Sequence, residues 1–297
     1  MTPSGSLSQV AKRRMSDEFT DSVLYGKLAG TVDQDGPYAA VLKHLAETEH
    51  GHYEFWKKFA PGEEAKVDKV KVCWVLFLRR ALGLTFASRY LDRHEHSVVK
   101  EYKGLAGLIP EEDKVAFEAM VTDEEQHEKD LSDKIESAVV RYISFVVLGL
   151  ADALVEITGI HAGSLGIYNR TEYAGLAGVI AGAAASLAMA SAAFAQAKQG
   201  FQGSARLSAV YTGVSYFVTA IILAGPYFFT ESMVYALSAS MVLAIIILTL
   251  ITYYSTVISG KPFTRDFLEI LGIMIAVTIV LYFFGYIAGV STGVRIS

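Results

Sequence analysis

The chain has 297 residues, enough for two domains, with a mean hydropathy of +0.35 and a formal net charge of −5 at pH 7. That acidic balance argues against nucleic acid as a partner. The single cysteine, Cys73, excludes an intrachain disulfide and fits a reducing compartment.

Charge is spread unevenly: residues 1–141 carry 20 Lys/Arg and 25 Asp/Glu, whereas residues 142–297 carry six of each. The first part, residues 1–140, reads as a soluble, acidic, all-α domain. No apolar stretch precedes Ser16, so no cleavable signal peptide is expected. Periodicity and stop signals divide residues 8–140 into four main helices. Ser16 or Asp17 is expected to cap a turn ahead of Glu18, and DQDGP at 33–37 marks a turn. Pro61-Gly62 stops the second helix, and Pro110 with Glu111, Glu112 and Asp113 opens the fourth with charges that suit the helix dipole.

Within these helices Glu18, Tyr25, Glu47 and His50 recur 77 residues later as Glu95, Tyr102, Glu124 and His127. An E-x-x-H motif sets a carboxylate and an imidazole about one turn apart on one helix face. Glu18 and Glu47 lie about equally far from the turn near residue 35, and Glu95 and Glu124 are similarly placed about residues 108–110, so each pair meets across an antiparallel hairpin. One glutamate from each of two helices, plus an E-x-x-H from each of the others, is the two-metal carboxylate constellation of helical bundles. Mixed oxygen and imidazole donors suit iron or manganese, and zinc less selectively. Asp92, one turn before Glu95, is a candidate seventh ligand. His44, His52 and His96 lack twins and are expected at the surface or just outside the site. Glu49, Glu54, Glu125 and Glu128 are expected as solvated charges, with one of them open as an outlying ligand.

From His50 to Asp92 the chain has 42 residues, so it must first return along the bundle, over roughly 20 residues or about 30 Å of helix. This crossover, around 63–81, is unusually apolar: VCWVLFL stands before Arg79-Arg80. It is too short and too charged at its ends to span a bilayer, and is expected to lie on one or to pack in a dimer interface.

Five segments of the second part are long enough to cross a hydrocarbon layer of about 30 Å: Tyr142–Tyr168, Tyr173–Ala197, Leu207–Thr230, Ser232–Gly260 and Ile270–Val294. Four of the five carry no Asp, Glu, Lys or Arg. Residues 141–297 therefore read as a five-helix transmembrane domain. Arg141, Lys198, Arg206, Lys261 and Arg265 flank the spans on the side of the N-terminal domain, against Arg170 and Arg295 opposite, which predicts a cytoplasmic N-terminal domain. With no organellar targeting segment, the plasma (inner) membrane is the expected location.

The first span holds the only acidic residues deep in any span, Asp152 and Glu156, four apart on one face. A mid-membrane carboxylate costs about 2.5–3.5 kcal/mol on insertion scales and usually faces a pathway or a partner. No span offers a Lys or Arg, so protons or a divalent cation remain as partners. The second span is rich in small residues, and its Met189 lies near the depth of Asp152. His161 reads either as a proton relay or as a structural histidine.

Glu18 with Tyr25, Glu47-x-x-His50, Asp92-x-x-Glu95 and Glu124-x-x-His127 resemble the rubrerythrin branch of the ferritin-like superfamily. The resemblance implies a di-iron four-helix bundle; Asp92 departs from the more usual glutamate, and no C-x-x-C pair supports a rubredoxin centre. Gly149-Leu150-Ala151-Asp152 with Gly159, Ser186-Leu187-Ala188-Met189 and Pro226 resemble the vacuolar iron transporter family. That likeness implies a homodimer moving Fe2+ or Mn2+ out of the cytosol against protons, with Asp152, Glu156 and Met189 along the path. The family often keeps a metal-binding domain between spans two and three, where this chain has only Lys198–Arg206. The fusion resembles membrane-bound ferritin-type iron exporters. The expected function is proton-coupled iron export with a metal-capturing or sensing bundle; a membrane-anchored ferroxidase or di-iron peroxidase is the alternative.

Overall fold

The computed structural model describes residues 3–134, 138–260 and 262–293; the side chains of 3–6, 37, 92–97, 100, 126–134, 138, 139 and 292 lie outside the described residues. The described chain is helical, without strands, and separates into two compact units, Met1–Ser137 and Ala138–Ser297.

The N-terminal unit contains α1 (Pro3–Ala29), α2 (Pro37–Lys57), α3 (Lys69–Leu82), α4 (Leu84–Leu105) and α5 (Lys114–Lys134). Helix α2 starts after Gly36 with Pro37 at its first position, where a missing N–H is harmless. Asp68 caps α3 by accepting from the backbone N–H of Val70 and Lys71, and Gly83, at φ +93°, makes the break to α4. The expected cap at Ser16 or Asp17 does not form. Helix α1 runs straight through, and the Ser16 hydroxyl bonds back to the Lys12 carbonyl at 3.3 Å. Packing explains the extension, since Ala11 and Met15, ahead of the expected cap, are fully buried against the Trp56 and Tyr102 cluster.

Helices α1 and α2 form an antiparallel pair, with Ser22 bonded to the Ala46 carbonyl and Phe19 against Tyr53. Helix α3 then runs parallel to α1. The Asp68 N–H bonds to Thr20, Lys71 pairs with Asp21 at 2.6 Å, and Arg79 reaches Thr31. This is the return along the unit that the 42-residue spacing required. Two apolar clusters fill the interior. One centres on Leu24, Leu28, Leu42, Leu45, Val75 and Leu91, the other on Met15, Phe55, Trp56, Tyr102, Phe117 and Met120. Along both α1 and α2 the two clusters are separated by a short polar stretch, which is where the site lies.

The second unit contains α6 (Ala138–Ser164), α7 (Thr171–Ala197), α8 (Ala205–Ala224, continued by a 3-10 turn to Phe228), α9 (Met233–Ser259) and α10 (Phe263–Thr292). All five are long and apolar enough to cross a membrane, as an integral membrane protein requires. The fifth begins earlier than the sequence suggested: the Arg265–Glu269 pair, one turn apart at 2.9 Å, lets the charged stretch stay helical. Helix α6 packs against each of the other four. Its apolar window is 44% buried, against 6% for α10, so α6 is the central helix and α10 faces outward.

Small residues bring these helices together. A Cβ on Gly285 would sit 2.0 Å from the Gly163 carbonyl oxygen, one on Gly149 2.3 Å from that of Thr212, and one on Gly182 2.5 Å from the Ala220 Cβ. Lipid offers apolar side chains as good an environment as another helix does, so close backbone approach and interhelical hydrogen bonds hold the unit. Two such bonds join α8 to α6, from Thr212 to the Phe145 carbonyl and from Ser215 to that of Val146.

Candidate metal centre and membrane carboxylates

Helix α2 determines which residues enter the N-terminal site. At about 100° per residue, Leu42, Leu45, Glu49, His52 and Trp56 form one stripe, and Glu47 and His50 come round on the far side. The burial follows that stripe. Leu42, Leu45 and Trp56 are buried, Glu49 and His52 are 3% and 4% exposed, and Glu47 and His50 face solvent. Glu49 and His52, expected as a solvated charge and a surface or outlying group, are interior residues. They stand in the place the 77-residue repeat assigned to Glu47 and His50, and form an E-x-x-H of their own, 75 residues before Glu124 and His127. Extending the apolar stripe from Leu42 and Leu45 would have found them.

Glu18, Glu49, His52 and Glu124 bring their ligand atoms within 4.8 Å of one another, all four buried. Glu18 comes from α1, Glu49 and His52 from α2, and Glu124 from α5. The His52 Nδ1 lies 3.1 Å from Glu124 and 3.5 Å from Glu49. Of the other expected ligands, the side chains of Asp92, Glu95 and His127 lie outside the described residues. Tyr25 and Tyr102 are both buried, and Tyr102 donates its hydroxyl hydrogen to Glu18 while accepting from the Trp56 indole N–H at 3.2 Å.

Three buried carboxylates around one imidazole are electrostatically unstable as bare charges. Burial first, then the charges of Glu49 and Glu124, push the Glu18 pKa well above the usual carboxylate range. Burial alone would lower the His52 pKa, but hydrogen bonds to Glu124 and Glu49 and their charges push it up to about 11. Burial and the neighbouring Glu18 raise the Tyr102 hydroxyl in the same way. The cluster therefore retains protons that a divalent cation can displace, and the buried Glu/His set can hold a metal ion. A cavity of about 230 Å³ adjoins it, lined also by Asp17, Asp21 and Lys71, which gives a small ion room to reach the carboxylates. There burial raises the Asp21 pKa to about 6 despite the Lys71 ammonium beside it.

In the membrane unit, Asp152 and Glu156 are half-buried on α6. The Tyr216 hydroxyl on α8 donates to Glu156 at 2.5 Å. Met189, on α7, packs against the cluster that contains Leu154, Ile157 and Tyr216. Tyr216 had no signal in the sequence, because its role depends on α8 crossing α6 at this level. His161 is fully buried, with its ring 4.2 Å from that of Tyr227. It lies half a helical turn round from Asp152 at about 100° per residue, so the α6 geometry does not make it a relay to that carboxylate.

Compared with known proteins, the chain matches no protein family, no curated protein and no solved structure.

Proposed function

We propose that this protein is a proton-coupled exporter of Fe2+, with Mn2+ as a second cargo, in which the N-terminal unit captures or senses the metal. The observation that carries this reading is the presence, in one chain, of a buried Glu18/Glu49/His52/Glu124 cluster and of an acidic pair on the most buried of five membrane-capable helices. Mixed carboxylate and imidazole donors suit iron and manganese, and zinc less selectively. An intramembrane carboxylate pair with no Lys or Arg deep in any span is best accounted for by an ion or protons that pass it.

In this reading the cation displaces protons from Asp152 and Glu156 on arrival, and protons return when it leaves. Tyr216 keeps the Glu156 carboxylate oriented toward the path, and Met189 supplies a thioether near it. The likeness to ferritin-like and vacuolar iron transporter proteins supports a four-helix di-iron bundle joined to a transporter, and a homodimer. The excess of Lys and Arg flanking the spans on the side of the N-terminal unit supports a cytoplasmic location for that unit, and an inner-membrane location completes the reading. The test is Fe2+ flux into proteoliposomes against a proton gradient. Asp152→Ala should reduce flux to the leak of empty vesicles, and flux retained in that variant sinks the pathway assignment.

A second reading, a membrane-anchored ferroxidase or peroxidase, is favoured by one observation, the Trp56–Tyr102–Glu18 hydrogen-bond chain beside the cluster. Such an enzyme needs no acidic pair inside the membrane. Oxygen or peroxide consumption with Fe2+ that persists in Asp152→Ala while flux is absent in the wild type would favour the enzyme.

A further inference from the structure

Helix α3 is apolar on two faces. Val72, Val75 and Leu78 are buried in the N-terminal unit, while Val70, Trp74 and Phe77 are 79%, 49% and 58% exposed. At about 100° per residue, Val70, Cys73, Trp74 and Phe77 fall on one outward stripe. The Trp74 and Phe77 rings stack at 5.7 Å, making a continuous ridge. Lys69 and Arg80 flank this stripe on one side, both exposed, and no acidic residue occurs anywhere between Lys69 and Leu82.

Two occupants compete for such a face, a bilayer and a second copy of the chain. A two-fold contact between copies would use the same patch on each. In the antiparallel arrangement it would set Lys69 against Arg80 of the other copy, like charge to like. A surface of anionic phosphates reverses the sign of that interaction. A tryptophan on an apolar stripe edged with Lys and Arg is also the composition of helices that lie in the headgroup layer. The chain itself tethers this unit to the bilayer, because only three residues separate the end of α5 at Lys134 from the first membrane-capable helix at Ala138. Tethering of this kind turns a weak surface affinity into a high effective concentration.

We propose that α3 is a membrane-docking helix, which inserts Val70, Trp74 and Phe77 among the headgroups of an anionic bilayer and sets Lys69 and Arg80 on lipid phosphates. The inference rests on the chain being membrane-embedded and not on the cargo it moves. It makes the crossover a contact that holds the N-terminal unit at the lipid surface.

Cys73, exposed on this stripe and the sole cysteine of the chain, is the natural reporter. The full-length protein, nitroxide-labelled at Cys73, would be placed in nanodiscs of phosphatidylcholine with and without phosphatidylglycerol. Collision with oxygen and with an aqueous nickel chelate would then be read by electron paramagnetic resonance. With anionic lipid, oxygen accessibility should rise and nickel accessibility fall. Lys69→Gln with Arg80→Gln should remove the dependence on anionic lipid, and Trp74→Ser with Phe77→Ser should expose the label to nickel in both discs. These are surface positions, so the core of the unit is left intact. Nickel accessibility equal in all discs and all variants overturns the proposal. So does strong spin–spin broadening between two Cys73 labels, which would assign the face to a second copy.

Discussion

In the N-terminal unit three carboxylates gather around His52 from three helices, enclosed between two apolar clusters. In the membrane unit two carboxylates sit on a single helix with a tyrosine hydroxyl donated to one of them. The same kind of group is buried twice with opposite provisions. In the first unit the fold supplies a fixed set of donors, dense enough to retain protons until a cation replaces them. In the second it supplies little, which suits the proposed passage of an ion. The interiors differ too. Leu, Trp, Phe and Met fill the first because water drives them together, whereas glycines and alanines form the contacts of the second because lipid does not.

The largest test of that contrast is Trp56→Ala. Removing this fully buried side chain should cost the N-terminal unit about 3–5 kcal/mol, seen as an earlier first transition in thermal unfolding of the detergent-solubilised chain. The transition of the membrane unit should not move; a joint shift would mean that the two units unfold as one. Next, Glu49→Gln and His52→Ala should each weaken metal binding on the order of 100-fold, about 2.7 kcal/mol. Glu47→Gln and His50→Ala, at exposed positions, should leave it unchanged by titration calorimetry. The reverse result would restore the 77-residue repeat as the ligand rule.

A smaller effect is expected inside the membrane unit. Gly285→Ala forces a methyl group onto the Gly163 carbonyl and should cost about 1–3 kcal/mol. Gly272→Ala, on the same helix with open space around it, should be neutral in the same unfolding assay.

A pH dependence is also expected of the metal-free N-terminal unit. Glu18 and His52 both have folded pKa values above their ordinary values of 4.5 and 6.5. Groups raised in this way stabilise the fold most below their unfolded pKa and lose that contribution as pH rises toward the folded value. The first transition of the chelator-treated protein should therefore fall in temperature as pH is raised from 4.5, and added Fe2+ under anaerobic conditions should reverse the fall. A metal-free unit that grows more stable with rising pH would contradict the burial of these charges.

Much of this organisation was legible in the chain. A five-span reading follows from composition alone, because apolar length against bilayer thickness is a local property that no packing detail alters. The return of α3 along the unit followed from counting residues between the two motifs. Helix α2 holds two E-x-x-H spacings, Glu47-x-x-His50 and Glu49-x-x-His52, and only the first was expected to bind metal. The numerical neatness of the repeat favoured the first; the apolar stripe through Leu42, Leu45 and Trp56 favours the second, and burial follows the stripe. Helix α1 starts ahead of the expected cap for a similar reason, since Ser16 has cap chemistry but Met15 and Ala11 bury in the core.

What the sequence determined by itself is what depends on composition and on spacing along a single segment: two regions of opposite polarity, helices throughout, carboxylate and imidazole pairs one turn apart, and an acidic pair inside an apolar span. Tertiary structure alone decided which of those side chains meet. Glu18 from α1, Glu49 and His52 from α2 and Glu124 from α5 converge because each helix turns one particular stripe inward, and Tyr216 reaches Glu156 because Gly149 lets α8 approach α6. The rotation of a helix about its axis is set by the sum of its contacts with other helices, and no single segment carries that sum.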